Sequence, residues 1–178
     1  MIGLGIWQLQ RKGEKEALLE RFEAAAELPP IAYPSLPDRS LLYRRATGYC
    51  LEPVGWRARG GQNSDGETGW IHIASCRTGG GEGPGMQVVG GWSESPESPE
   101  GWSGGEITGV IALDQDFGTR LVADEPMEGL EAAAPPDPQN IPNNHLLYAI
   151  QWFFFAAAAA IIYLLAVRRR WIDAGPAE

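Results

Sequence analysis

The sequence is poor in cysteine, histidine, positive charge and long apolar runs. Cys50 and Cys76 are its only cysteines among 178 residues, which excludes a disulfide-stapled miniprotein and a multi-cysteine metal site. Lysine and arginine number 14 against 23 aspartates and glutamates, a formal charge of −9. That balance argues against nucleic-acid binding, which needs a basic face to displace counterions from phosphates. No P-loop, HExxH or helix-capping GxGxxG pattern occurs, and no nucleophile–base set or metal-ligand set stands out, so an enzyme is not expected. A length of 178 residues bounds one domain, or one domain with membrane segments.

What is present falls into parts with different physics. Residues 28–142 carry seven bases and sixteen acids, and so the whole net charge, together with 19 of the 23 glycines and 13 of the 14 prolines. By contrast, Leu146 to Val167 is a run of 22 residues without charge. At about 1.5 Å rise per residue it reaches roughly 33 Å as a helix, enough for a hydrocarbon core of about 30 Å. Eleven of these residues are Leu, Ile, Phe or Val. At roughly −0.3 to −0.6 kcal/mol each they contribute on the order of −3 to −7 kcal/mol toward insertion. A transmembrane helix over 143–170 is therefore expected, flanked by Tyr148 and Trp152 at one end and Tyr163 and Trp171 at the other. Arg168, Arg169 and Arg170 follow the run directly, which predicts a cytoplasmic tail over 171–178 and an outward-facing middle domain.

That orientation makes the N-terminus informative. Met1 to Leu9 is apolar but too short to span a bilayer, and no complete signal peptide is present. The run Met1-Ile2-Gly3-Leu4-Gly5-Ile6-Trp7 therefore reads as the last turns of a truncated first membrane helix, the full-length protein being multi-pass. Residues 8–27 read as its helical continuation, with Leu18, Leu19, Phe22 and Ala26 at helical spacing and Pro29-Pro30 ending it.

The middle segment, 28–142, reads as short strands between turns. Tyr43–Leu51, Trp70–Cys76, Met86–Trp92 and Glu106–Leu113 are the strand candidates, and Asp65-Gly66 is a turn signal. Gly79–Gly85 and Ser93–Gly105 read as loops, and Asp124–Pro142 as a poorly ordered connector. The expected fold is a membrane protein of α+β class: a small antiparallel β domain, barrel or sandwich, between an N-terminal helix and a C-terminal transmembrane helix.

Several motifs resemble the Surfeit locus protein family of cytochrome c oxidase assembly factors. Gly5-Ile6-Trp7-Gln8-Leu9-Gln10-Arg11 followed by Lys15 is similar to the junction after that family's first membrane helix. Tyr43-Arg44-Arg45 followed by Gly48, Gly69-Trp70-Ile71 and Val88-Val89-Gly90-Gly91-Trp92 resemble its strand motifs. Asn144-His145-Leu146-Leu147-Tyr148-Ala149-Ile150-Gln151-Trp152-Phe153 resembles its signature entering the second membrane helix. The family usually carries Arg-Gly-Trp or Arg-Gly-Phe where this chain has Gly90-Gly91-Trp92, so no role is transferred to that hairpin.

The resemblance implies an assembly factor assisting delivery or insertion of haem a into the oxidase catalytic subunit. It implies that subunit as partner, with haem a synthase as a further one, at the bacterial cytoplasmic (inner) membrane with the main domain facing the periplasm. The alternative is a membrane-anchored scaffold for oxidase subunits that binds no haem. The residues add a physical case for His145, since an imidazole nitrogen at the start of a membrane helix suits haem iron. Asn143 or Asn144 is placed to cap that helix. Tyr148 and Trp152, at i+3 and i+7, share its face and offer packing to a macrocycle. Arg44 and Arg45 carry guanidinium forks suited to haem propionates, or else mark a solvated strand edge. The bland reading of His145 is headgroup contact or capping, with Tyr148 and Trp152 as ordinary belt residues. His72 reads as structural, and Asp114-Gln115-Asp116 as a turn. Whether Cys50 and Cys76 pair is left open, because sequence does not report their separation.

Overall fold

The computed structural model describes residues 1–79, 85–140 and 143–173. It divides into two compact units, Met1–Leu19 with Ile141–Glu178, and Glu20–Asn140. The helix α1 (Ile2–Ala26) runs from the first unit into the second, and α2 (His145–Asp173) belongs to the first.

The second unit is one seven-stranded sheet, built from β1 (Ile31–Ala32), β2 (Arg45–Cys50), β3 (Glu52–Gln62), β4 (Thr68–Arg77), β5 (Met86–Ser93), β6 (Gly105–Asp114) and β7 (Gly118–Ala123). Its strands lie in the order β1-β2-β6-β7-β5-β4-β3. The fully antiparallel expectation needs correction, because β1 runs parallel to β2 and β5 parallel to β7. The second parallel pair arises because the β6–β7 hairpin folds back and lays β7 between β6 and β5.

β2, next to one end of this order, is tied through the chain to β3 and β4 at the other end. β2 and β3 are separated only by Leu51, whose N–H donates to the Arg77 carbonyl at 2.8 Å. Cys50 on β2 and Cys76 on β4 form a disulfide, with Cα atoms 5.2 Å apart, although three strands lie between them in the sheet. The sheet is therefore curled rather than flat.

Two of the hairpins have a local cause. Asn63 Oδ1 accepts the N–H groups of Asp65 and Glu67, and Gly66 takes the positive φ that closes the β3–β4 turn. Asp114 Oδ1 does the same at the β6–β7 turn, accepting from Asp116 and Phe117 at 3.0 Å each. Residues 115–117 thus form the expected turn.

β5 is buried along nearly its whole length, with Met86 and Val88 in one apolar cluster and Val89 and Trp92 in another. Strict alternation would return Trp92 to the face of Val88. An extra residue at Gly90, opposite no partner between the pairs Ile73–Val89 and His72–Gly91, reverses the parity and sends Trp92 to the side of Val89. The Gly90-Gly91 pair is therefore a bulge, and its neighbours are close: Met127 packs at Gly90 and the Leu130 side chain at Gly91.

The connector reading of residues 124–142 is corrected over its described part. Met127 and Ala133 are buried in the two clusters, and Glu131 exchanges both backbone hydrogen bonds with Trp92, at 2.8 and 2.9 Å. Ala134 N–H donates to the Gln62 carbonyl at 2.8 Å. This stretch is a strap over the sheet, held by backbone bonds and a few small apolar contacts that composition does not reveal. Residues 141 and 142 lie outside the described residues, as do 80–84 of the glycine-rich loop and 174–178 of the tail.

In the other unit, His145–Ile172 is the one described helix long and apolar enough to cross a membrane. Its length of 28 residues gives about 42 Å of helix.

Candidate functional site

The helix unit brings His145 to the N-terminus of α2 and sets it against α1. Gly5 is the one buried residue of α1, and a Cβ there would lie 2.7 Å from the Phe153 ring. Ala149, one turn nearer the start of α2, is also buried. Small residues at these positions let the two helices approach, the device that membrane helices use in place of a hydrophobic driving force. The same approach places Gln8 beside His145, and the Gln8 Oε1 lies 2.7 Å from His145 Nδ1.

This contact selects the tautomer. An amide oxygen only accepts, so Nδ1 carries the proton and Nε2 keeps its lone pair. Among the described residues Nε2 has no hydrogen-bond partner. Beside the half-buried ring is an open cavity of about 230 Å³, lined by Arg11, Glu14, Lys15 and Leu18 together with His145 itself. Arg11 pairs with Glu14 at 2.6 Å and lies over the Trp7 ring at 6.0 Å. Lys15 has no carboxylate partner among the described residues. The site therefore offers one imidazole lone pair and one unpaired ammonium. No group of three metal-ligating residues exists among the described residues.

The helix start differs from the expected capping. The Tyr148 N–H donates to the Asn144 carbonyl at 3.3 Å, and neither asparagine side chain caps the helix. The Asn143 Oδ1 is buried without a partner among the described residues. Tyr148 is half exposed, and Trp152 meets Phe155 edge-on with centroids 6.2 Å apart.

A sequence model of the SURF1 family matches residues 1–157. The chain belongs to the SURF1 family. No curated protein matches it significantly. In this SURF1-family chain the match takes in the whole strand unit and α2 as far as Phe155 and the two alanines after it.

The remaining candidates of this SURF1-family chain lie in the strand unit, so they are not on the helix pair that carries His145. Arg44 donates to the Pro29 carbonyl at 3.0 Å, and Arg45 pairs with Asp124. A propionate would have to displace these acceptors. Tyr43, just before them, holds φ at 65°, a conformation that costs a non-glycine residue about 1–3 kcal/mol, and stacks on Phe22 at 4.5 Å. His72 is fully buried in β4 with Nε2 2.8 Å from Ser93 Oγ, and burial pushes its pKa down. That is a packing histidine.

Two features escaped sequence reasoning. Gln8 and Lys15 stand in the junction motif that resembles the family's, but their place beside His145 was not legible, because no spacing rule ties position 8 to position 145 until two helices pair. The second is a polar network in the strand unit. Arg57 Nη2 donates to the buried Asp114 at 2.6 Å and to Gln87 at 3.2 Å, while its Nη1 reaches Asp116 at 3.0 Å. Arg59 also pairs with Asp116, at 2.5 Å, and Arg120 lies 4.0 Å from Asp114. Burial alone would raise the Asp114 pKa, but backbone N–H groups and the Arg57 guanidinium outweigh it and hold the carboxyl below its ordinary range.

Proposed function

We propose that this chain is a membrane-anchored assembly factor for cytochrome c oxidase that holds haem a at His145 before its transfer to the catalytic subunit. Membership of the SURF1 family supports the role in oxidase assembly. The observation that carries the haem reading is the Gln8–His145 contact. It leaves Nε2 as a free lone pair at the head of an apolar helix.

The donor set fits the group. His145 would ligate the iron and Lys15 would meet a propionate, while Tyr148 and Trp152, outside the cavity lining but at i+3 and i+7 on α2, would pack on the macrocycle. Haem a, when bound, would supply an iron that takes an imidazole nitrogen as ligand. Everything else is done by the chain's own side chains. Gln8 fixes the ring's tautomer and plane, and Lys15 supplies the counter-charge. The open cavity grips an edge rather than enclosing a ligand, which suits a carrier that must release its cargo. No turnover is required of it. Haem a synthase would be the donor and the oxidase catalytic subunit the acceptor.

On this reading α2 crosses the bacterial cytoplasmic membrane with Arg168–Arg170 inside and the strand unit on the periplasmic side. The Cys50–Cys76 disulfide supports that side, since such bonds persist in oxidising compartments.

The test is a visible spectrum of the full chain purified in neutral detergent from cells that make haem a. The wild type should show a Soret band that His145→Ala abolishes or shifts strongly, while the chain remains in the membrane fraction. His72→Ala should leave the band in place. An unaltered band in His145→Ala removes this residue as ligand. A wild type that never carries haem, in cells whose oxidase still depends on it, replaces the carrier with a protein scaffold.

A further inference from the structure

The strand unit carries an open groove of about 420 Å³ whose lining includes Trp102, Glu106, Thr108, Asp124, Glu125 and Met127. Its floor is apolar and anchored. Ile107 and Met127 are buried members of the larger core cluster, and Trp102 packs against that cluster with its ring 5.9 Å from Trp56, edge-on. Its walls are acidic. Asp124 is neutralised by Arg45, whereas Glu106 and Glu125 are exposed and have no ion pair among the described residues.

The groove also contains an unfilled strand edge. The β6–β7 register stops at Gly109–Ala123, while β6 extends back to Gly105. Asp124 N–H still reaches the Thr108 carbonyl at 3.0 Å. The chain then crosses toward β5, where Met127 N–H donates to the Gly90 carbonyl at 2.8 Å. On its other side β6 remains paired with β2 as far as Gly105–Cys50. Residues Glu106 and Ile107 are therefore in a rigid strand whose β7-side edge has lost its neighbour.

We infer that this groove docks an extended basic segment of a partner protein, which adds a short strand to the free edge of β6 and sets a lysine or arginine between Trp102 and the two unpaired glutamates. Backbone hydrogen bonds to an open edge give such a segment affinity without demanding its sequence. Alternate side chains then face the groove. A cation over an indole flanked by carboxylates is favoured by both the ring quadrupole and charge. The inference does not depend on haem at His145.

The test uses the full chain in neutral detergent and a fluorescent peptide, acetyl-Lys-Val-Lys-Val-Lys-Val-Lys-amide, read by anisotropy. A second peptide of the same sequence is N-methylated at alternate residues, so it keeps its charge but loses one edge of donors. The wild type should bind the first peptide and bind the second at least about tenfold more weakly. Glu106→Lys with Glu125→Lys should also weaken the first peptide by at least about tenfold, with thermal midpoint unchanged. Glu94→Lys with Glu97→Lys, outside the groove, should leave its affinity within about twofold. No binding to the wild type overturns the inference, as does equal binding of both peptides or an equal loss from the Glu94/Glu97 variant. His145→Ala should leave peptide affinity unchanged, so the docking and haem readings can fail separately.

Discussion

Removing the Asp114 carboxylate should be among the most damaging single changes in the strand unit. The side chain is 1% exposed, yet it receives two backbone N–H groups and the Arg57 guanidinium, with Arg120 at 4.0 Å. Asp114→Ala loses one charge-assisted bond, at about 2 kcal/mol, and two ordinary ones at about 1 kcal/mol each. The total of about 4 kcal/mol agrees with the roughly 3–5 kcal/mol seen when one partner of a buried ion pair is deleted. At roughly 4 °C per kcal/mol, the thermal midpoint should fall by about 16 °C. Asp114→Asn keeps an oxygen for the turn but leaves Arg57 and Arg120 without their shared counter-charge, and should cost about 2 kcal/mol.

The pH dependence separates charge from shape. Because the folded carboxyl has a depressed pKa, its contribution is present above the unfolded value of about 4 and is lost as pH falls through the lower folded value. The gap between wild type and Asp114→Asn should therefore be full at neutral pH and shrink on acidification below about pH 4. The assay is thermal unfolding of the full chain in neutral detergent, followed by tryptophan fluorescence across pH. A midpoint for Asp114→Ala within about 2 °C of wild type at neutral pH would refute the reasoning, as would an Asn gap that does not change with acid.

Reduction of the Cys50–Cys76 disulfide, or both changed to Ala, should lower stability by about 3.5 kcal/mol, from the 26-residue separation that it closes. Equal midpoints with and without reductant would contradict this. For the membrane orientation, Ser98→Cys should react with an impermeant maleimide on intact cells and Ile172→Cys only after permeabilisation. The reverse labelling pattern rules out the proposed topology.

The elements legible in the sequence were those whose own residues carry the signal. The apolar run of α2 and the β-branched cores of β4, β5 and β6 were found because burial is written into alternation or length. β3 was missed because Glu52–Gln62 contains three glycines, a proline and two arginines, all poor strand signals. It is a strand because β4 pairs with it over ten positions and because Arg57 and Arg59 find carboxylates on the β6–β7 turn. β7 was missed because Gly118–Ala123 is short and offers only Leu121, Val122 and Ala123 as apolar residues, too little alternation for a strand signal. At the candidate site, His145 could be singled out from its place at the start of a long apolar helix, but its orienting partner Gln8 could not. That contact spans 137 positions and exists only through helix pairing.

The position of β7 has a consequence for how the chain matures. It is the last strand made, yet it sits in the middle of the sheet, between β6 and β5. Until it emerges, β6 lacks its neighbour along six positions and β5 along two, and the strap that closes over Trp92 follows later still. A fragment ending before Ala133 lacks a buried member of the second core cluster and the strap's backbone bond to the Gln62 carbonyl. Folding must therefore wait until nearly the whole strand unit has been synthesised, a late, non-local assembly that is slow and vulnerable to aggregation. Premature stops within it should yield sticky, rapidly degraded products rather than smaller working ones.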